Sequence, residues 1–282
     1  MSTTTAPAID PPPEGDVARR LEIALAAVRA ATETTRRWFN APDLAVVEKD
    51  DRSPVTEADK AAEAILRDRL LAAFPHDSFL GEESGTVAGT SGFEWVVDPI
   101  DGTKSFIRGV PLYATLVGCR HEGRGVLGVI AIPALDELVY AARGRGAWHS
   151  LGGGTPVRAR VSSRNRLAES LLCTSDFVSF RRRPDGAERG REARRRLEDA
   201  CLVNRTWGDG YGYLLVATGR AEAMVDPLMN RWDAAAVETV IIEAGGRFTD
   251  WHGRPRIDSG DGLATNGLVH DETVALVSGR PA

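Results

Sequence analysis

Glu94-Trp95-Val96-Val97-Asp98-Pro99-Ile100-Asp101-Gly102-Thr103-Lys104-Ser105-Phe106 is the stretch from which the chain is read. Trp95-Val96-Val97 is a short apolar, β-prone run, and it ends in two carboxylates three residues apart with a Pro and a Gly among them. Carboxylates are almost never fully buried without a partner, so a pair at the lip of an apolar strand needs cations or water. Pro99 bars Asp98 from helical geometry, Gly102 permits a tight turn, and Thr103 suits the N-cap of a helix beginning near Lys104. The expected product is a set of oxygen ligands facing one spot beside amides at a helix start. Hard oxygen donors without His or Cys suit Mg²⁺, and helix-start amides suit phosphate. The motif alone fits a surface β-turn equally well.

A chain of 282 residues makes one large domain or two sharing an interface, and 43% hydrophobic content supports a real core. A net charge of −5 gives no electrostatic footprint for nucleic acid or an anionic membrane, so a small molecule is the default partner. Cys119, Cys173 and Cys201 are odd in number and far apart, which fits reduced thiols and neither a disulfide framework nor a zinc site. No apolar run approaches the ~20 residues of a membrane span, so a soluble, cytoplasmic protein with no membrane partner is expected.

Residues 1–15, with Pro11-Pro12-Pro13, read as a disordered tail. Upstream of the opening motif, Val17, Leu21, Leu25 and Val28 predict a helix from Asp16 to about Trp38. After a turn-rich link at Asp50 to Thr56, the stripe Ala58, Ala62, Ile65, Leu66, Leu70 and Leu71 predicts a second helix to Phe74. Thr56 with Asp59 resembles a capping box. Phe79-Leu80 reads as a strand running into Gly81-Glu82-Glu83-Ser84, and Gly85 to Gly92 as a loop. Downstream, Tyr113–Arg120, Gly125–Ile132 and Glu137–Arg143 read as strands, so an antiparallel sheet backed by helices is expected. From Ser170 the pattern alternates strand and helix, implying a mixed sheet between helices, with Gly210–Thr218 and Trp232–Ala244 as helices. Gly-rich 144–154 places the boundary between an N-terminal α+β subdomain, 16–147, and a C-terminal α/β subdomain, 148–282. Residues 181–196 hold eight Arg with Asp185, Glu188 and Glu192, and read as a solvated loop and helix.

In Arg231-Trp232-Asp233-Ala234-Ala235-Ala236, Asp233 falls in a first helical turn, where the helix dipole alone explains an acid. Together, Gly81-Glu82-Glu83-Ser84, Asp98-Pro99-Ile100-Asp101-Gly102-Thr103, and Trp232-Asp233 followed by Glu243-Ala244-Gly245-Gly246 resemble the inositol monophosphatase superfamily of Mg²⁺-dependent phosphatases. The resemblance covers nearly the whole chain after the tail and implies that family's layered αβαβα sandwich. It implies that Glu82, Asp98, the Ile100 carbonyl, Asp101 and Asp233 hold two or three Mg²⁺ ions, that Glu82 and the pair Thr103 and Asp59 serve a metal-activated nucleophilic water, and that Gly102 and Thr103 hold phosphate. It also implies a homodimer.

Thr103-Lys104-Ser105-Phe106-Ile107-Arg108-Gly109-Val110-Pro111 and the run Thr206 to Arg220, leading into Val225-Asp226-Pro227, look like the histidinol-phosphatase branch, which acts on L-histidinol phosphate in histidine biosynthesis. That substrate carries an ammonium and an imidazole. Asp209 and Asp226 are the anionic candidates for it, and Trp207, Tyr211 and Trp232 are candidate walls for the ring. The alternatives are an inositol-1-phosphate or broad phosphomonoester phosphatase, and a family member that mainly binds the transcription machinery through the Arg-rich stretch.

Overall fold

A computed structural model describes residues 14–49 and 53–279. Of the tail expected over 1–15, residues 1–13 lie outside the described part, as do Asp50-Asp51-Arg52 of the link, while Glu14 and Gly15 already form the first turn of a helix. The first half runs α1 (Glu14–Trp38), β1 (Val46–Glu48), β2 (Pro54–Thr56), α2 (Glu57–Ala73), β3 (Ser78–Gly81), β4 (Gly85–Val87), β5 (Phe93–Asp101), α3 (Thr103–Ile107), β6 (Ala114–His121), β7 (Arg124–Ile132), β8 (Glu137–Ala142), β9 (Gly146–Leu151) and β10 (Val157–Ala159). The second runs β11 (Leu171–Cys173), α4 (Val178–Arg181), α5 (Ala187–Ala200), β12 (Val203–Arg205), α6 (Gly210–Ala217), β13 (Ala223–Asp226), α7 (Arg231–Glu243), β14 (Arg247–Thr249), β15 (Gly262–Thr265) and α8 (His270–Ser278).

These elements stack in five layers. α1 and α2 cover one face of an eight-stranded sheet, ordered β10-β9-β8-β7-β6-β5-β3-β4. α6 and α7 fill the space between that sheet and a five-stranded one, ordered β12-β11-β13-β15-β14, and α4, α5 and α8 close the far side. The layered sandwich is the architecture expected. The first sheet is antiparallel except where β3 runs parallel to β5: β4 pairs antiparallel on the outer edge of β3, and the chain then returns through 88–92 to start β5 on the other side of β3. The second is mixed, with β11 parallel to both β12 and β13 and β15 antiparallel to both of its neighbours.

The first sheet also runs past the division at 147/148. Gly-rich 144–154 contains the hairpin partner β9, and β10 extends the same sheet to Ala159. The glycines mark turns within a meander there. Of the expected apolar stripe of α1, Val17 and Val28 are buried and Leu21 and Leu25 pack at the margin, while Ala24, Ala27 and Ala31 complete the buried face. Alanines let the helix axis approach the sheet closely.

Two features lock the layers in place. Arg20 of α1 donates to both oxygens of Asp77, at 2.9 and 2.8 Å, and lies between the rings of Phe74 and Phe93. Trp95 Nε1 and Ser91 Oγ donate to the same carboxylate, so a buried charge pair ties α1 to the start of β3 and to β5. On the other face, Ala235 and Ala236 of α7 rest on Gly118 and Gly128, where a Cβ would come within 2.7 Å of Ala235 C and 2.2 Å of Ala236 O. α7 carries Asp233 at its first turn, so this close seat sets the height of that acid over β5 and β6.

Candidate active site

β5 carries the opening motif to the edge of the core and stops there. Its pairing with β6 slips between Asp98 and Asp101, which frees the intervening backbone from the ladder. Asp98 Oδ1 accepts from the Ile100 amide at 3.0 Å and Thr115 Oγ1 donates to the Pro99 carbonyl at 2.8 Å, so the bulged end of the strand is held from both sides. Gly102 then takes φ of +84°, in the left-handed region, and opens α3. Gly102 occupies the N-cap position that the sequence reading gives to Thr103. Thr103 is the first helical residue, and its hydroxyl lies 3.1 Å from the Ile100 carbonyl and 3.4 Å from Asp59 Oδ1. A side chain drawn toward those two acceptors is unavailable to cap its own helix.

Asp59 and Asp233 reach the same place by the same device. Each is the third residue of its helix, and each spends one oxygen on the cap: Asp59 Oδ2 accepts from the Thr56 amide at 2.8 Å and its hydroxyl at 2.6 Å, and Asp233 Oδ2 accepts from the Asn230 amide at 2.7 Å. The second oxygen of Asp59 faces Thr103. Oxygens of Asp98, Asp101 and Asp233 lie within 4.8 Å of one another. Glu82 adjoins this group through hydrogen-bonding contact with Asp98.

Charge crowding defines the chemistry of the cluster. Burial, then the neighbouring carboxylates Glu82, Asp101 and Asp233, push the Asp98 carboxyl well above its ordinary range. Burial and the charges of Asp209, Asp233 and Asp226 do the same to Asp101. Burial raises Asp233 to about 7 and Asp59 to about 6. Carboxylates packed this closely call for a cation, and an all-oxygen donor set with a backbone carbonyl beside it fits a hard divalent ion such as Mg²⁺.

Beside the cluster lies a cleft of about 320 Å³, lined by Glu82, Gly102, Thr103, Lys104, Asp176 and Asp209 among others. Asp209 packs directly on Gly102, where a Cβ would fall 2.6 Å from Asp209 Oδ2, and it holds φ of +53° with ψ of −155°, a strained conformation for a residue other than Gly. Its amide donates to Ser175 Oγ at 3.2 Å, and the next amide, that of Gly210, donates to Asp101 Oδ2. Asp226 is buried behind this, with Oδ1 accepting from Ser175 Oγ at 2.6 Å and Oδ2 from the Tyr213 hydroxyl at 2.8 Å. Burial raises Asp226 to about 7. Of the candidate ring walls, Trp207 is exposed, while Tyr211 and Trp232 pack against the central core.

Three residues of the site escape the sequence reading. Lys49 Nζ bridges Glu82 Oε1 at 3.0 Å and Glu83 Oε1 at 2.6 Å, Ser175 joins Asp226 to Asp209, and Asp176 lines the cleft. The one available signal for Lys49 is that lysine occurs in this Arg-rich chain only at 49, 60 and 104. The Arg-rich stretch lies away from this site on α4 and α5, where Arg191, Arg194, Arg195 and Arg196 pair with Glu188, Glu198, Asp199 and Glu192, and Arg183 is buried against Trp251.

The model of the inositol monophosphatase family matches residues 16–280. The chain therefore belongs to the inositol monophosphatase family, and it is a phosphatase of that family. It is 42% identical over 258 residues to a histidinol-phosphatase of Mycobacterium tuberculosis, covering 92% of this chain and 97% of that one, and 41% identical to a histidinol-phosphatase of Chlorobaculum parvum with the same coverage. Its fold matches the crystal structure of extragenic suppressor protein suhB from Bartonella henselae, with a TM-score of 0.81 and 29% identity over 91% of this chain and 97% of that one. No helix among the described residues is long and apolar enough to cross a membrane.

Proposed function

We propose that this phosphatase hydrolyses L-histidinol phosphate to L-histidinol and phosphate in histidine biosynthesis, with two or three Mg²⁺ ions, as a cytoplasmic homodimer. The observation that carries the substrate reading is the position of Asp209. A carboxylate held in a strained conformation against Gly102, with Asp176 in the same cleft, suits a phosphate ester whose other end is cationic. Resemblance to histidinol-phosphatases along more than nine-tenths of the chain supports it.

In this account Glu82, Asp98, Asp101, Asp233 and the Ile100 carbonyl hold the metal. Bound there, Mg²⁺ supplies charge neutralisation for the phosphate and acidification of water. Gly102 and Thr103 meet the phosphate at the start of α3, where the first amides have no partner within the helix. Glu82 orients the attacking water. Asp59 receives its proton at Oδ1 through the Thr103 hydroxyl, and a carboxyl near 6 is well placed to act as a base around neutral pH. Asp209 meets the ammonium or imidazole, and Asp226 holds Ser175, which fixes Asp209 from behind.

Asp209→Asn tests this reading. We expect kcat/KM for L-histidinol phosphate to fall by roughly 10²-fold, as for a lost charged contact of about 3 kcal/mol, with phosphate release from inositol-1-phosphate changed less than about threefold. Equal losses on both esters would remove Asp209 from substrate selection.

A further inference from the structure

One buried acid next to the site has no part in the chemistry above. Glu63 lies one helical turn beyond Asp59 on α2 and is 2% exposed. Its carboxylate faces backbone: Oε2 accepts from the Glu83 amide at 2.8 Å and Oε1 from the Ser84 amide at 2.6 Å. Gly81 completes the cradle, since a Cβ there would lie 2.5 Å from Glu63 Cδ. Glu82 sits between the glycine that admits this carboxylate and the two amides that grip it, and its own amide reaches the Val97 carbonyl at 3.3 Å. The nearby cations are engaged elsewhere, Lys60 with Glu57 and Arg67 with Asp68.

A buried carboxylate that accepts two backbone N–H bonds is a strong and directional anchor, and leaving those amides unpaired is costly. A plain surface turn needs no such anchor. Here it fixes the backbone of a residue whose side chain must meet Asp98 across the cluster. We propose that Glu63 is a positioning residue for the metal centre, fixing the 81–84 turn so that Glu82 is presented to the ion. It sets affinity for the divalent cation and touches neither substrate nor water. Asp59 and Glu63 thus divide the work on one face of α2, one toward the proton path and the other toward the cation. The inference rests on reading the cluster as a divalent-cation site.

Glu63→Gln keeps the volume but turns an NH₂ group toward a backbone donor. Binding of Mn²⁺ to the full chain, followed by electron paramagnetic resonance without substrate, is expected to weaken about 10–100-fold, the usual cost of losing an outer partner of a metal ligand. The Mg²⁺ concentration for half-maximal phosphate release is expected to rise by the same factor, with kcat at saturating Mg²⁺ and KM changed less than about threefold. If Glu63→Gln does not unfold cooperatively, Gly81→Ala, which displaces the carboxylate through the 2.5 Å contact, carries the same expectation. A folded variant that binds Mn²⁺ like wild type overturns the inference, as does one that loses kcat or KM with Mn²⁺ binding unchanged. Wild-type protein that binds Mn²⁺ but leaves L-histidinol phosphate intact removes the substrate reading and leaves Glu63 in place. Wild-type protein that binds no Mn²⁺ overturns both the metal reading and this one.

Discussion

Asp101 stands where burial and the charges of Asp209, Asp233 and Asp226 crowd it, with the Gly210 amide on one oxygen. Replacing it by Asn removes one charge from the crowd and, on the proposed reading, a metal ligand, while an amide oxygen can still accept from Gly210. Asp101→Asn is expected to lose about 10³-fold or more in Mg²⁺-dependent turnover, several kcal/mol of charge stabilisation, and to melt in EDTA no lower than wild type. Near-full activity would contradict its role as a ligand. At this scale, what was legible depended on local pattern. The end of the opening strand was legible from Gly102, but Pro99 does not stop it: β5 runs through Pro99 to Asp101 with a bulge, and only Gly102 turns the chain. Asp59 offered a capping explanation and Asp233 a helix-dipole one, each beside a chemical reading; in the structure one oxygen of each accepts from its cap backbone, while Asp59 Oδ1 faces Thr103 and Asp233 joins Asp98 and Asp101. Lys49 and Ser175 were silent because their partners lie 33 and 34 residues away or more, a distance that no periodicity spans.

α7 is the element on which the site depends most, since its seat on Gly118 and Gly128 sets where Asp233 stands. A methyl group at Gly128 meets the Ala236 carbonyl oxygen at 2.2 Å, and neither backbone yields without moving the helix or the sheet. Gly128→Ala is expected to cost about 1–3 kcal/mol as overpacking, lowering the melting temperature by roughly 2–12 °C, and to weaken Mn²⁺ binding at the same time. A loss of stability with unchanged Mn²⁺ affinity would show that Asp233 does not depend on this seat. Long elements were readable, α1 and α2 from a helical stripe, and α6, α7 and the strands β5 to β8 from sustained apolar runs between turn residues. Strands of three residues carry no period of their own, and β1, β2, β4 and β10 are among them. Gly144 and Gly152 to Gly154, read as a domain boundary, shape the turns on either side of β9, because the same residue type serves a linker and a hairpin.

The molecule as a whole carries a protonation signature. Burial raises Asp59 to about 6 and both Asp226 and Asp233 to about 7, from 3.8. The folded chain thus retains protons that the unfolded chain releases, so this stabilisation is complete below about 3.8 and is lost as pH rises through 6 to 7. His270, buried between Thr249 and Thr265 and lowered to about 4, has the opposite sign: it costs stability as pH falls below 6.5, but it is one group against several. In EDTA the melting temperature is expected to fall from pH 5 to pH 7 and level off near pH 8, and saturating Mg²⁺ is expected to flatten that slope by taking the place of the protons. A melting temperature that climbs through this window in EDTA would contradict the picture of crowded, protonated carboxylates. The central claim, a metal-dependent phosphatase that selects a cationic ester, meets its most direct test in phosphate release by the wild-type protein from L-histidinol phosphate and inositol-1-phosphate, side by side, with Mg²⁺ and with EDTA. Cleavage of L-histidinol phosphate at least about tenfold faster, and only with Mg²⁺, is the result expected; faster cleavage of inositol-1-phosphate, or equal rates in EDTA, would contradict it.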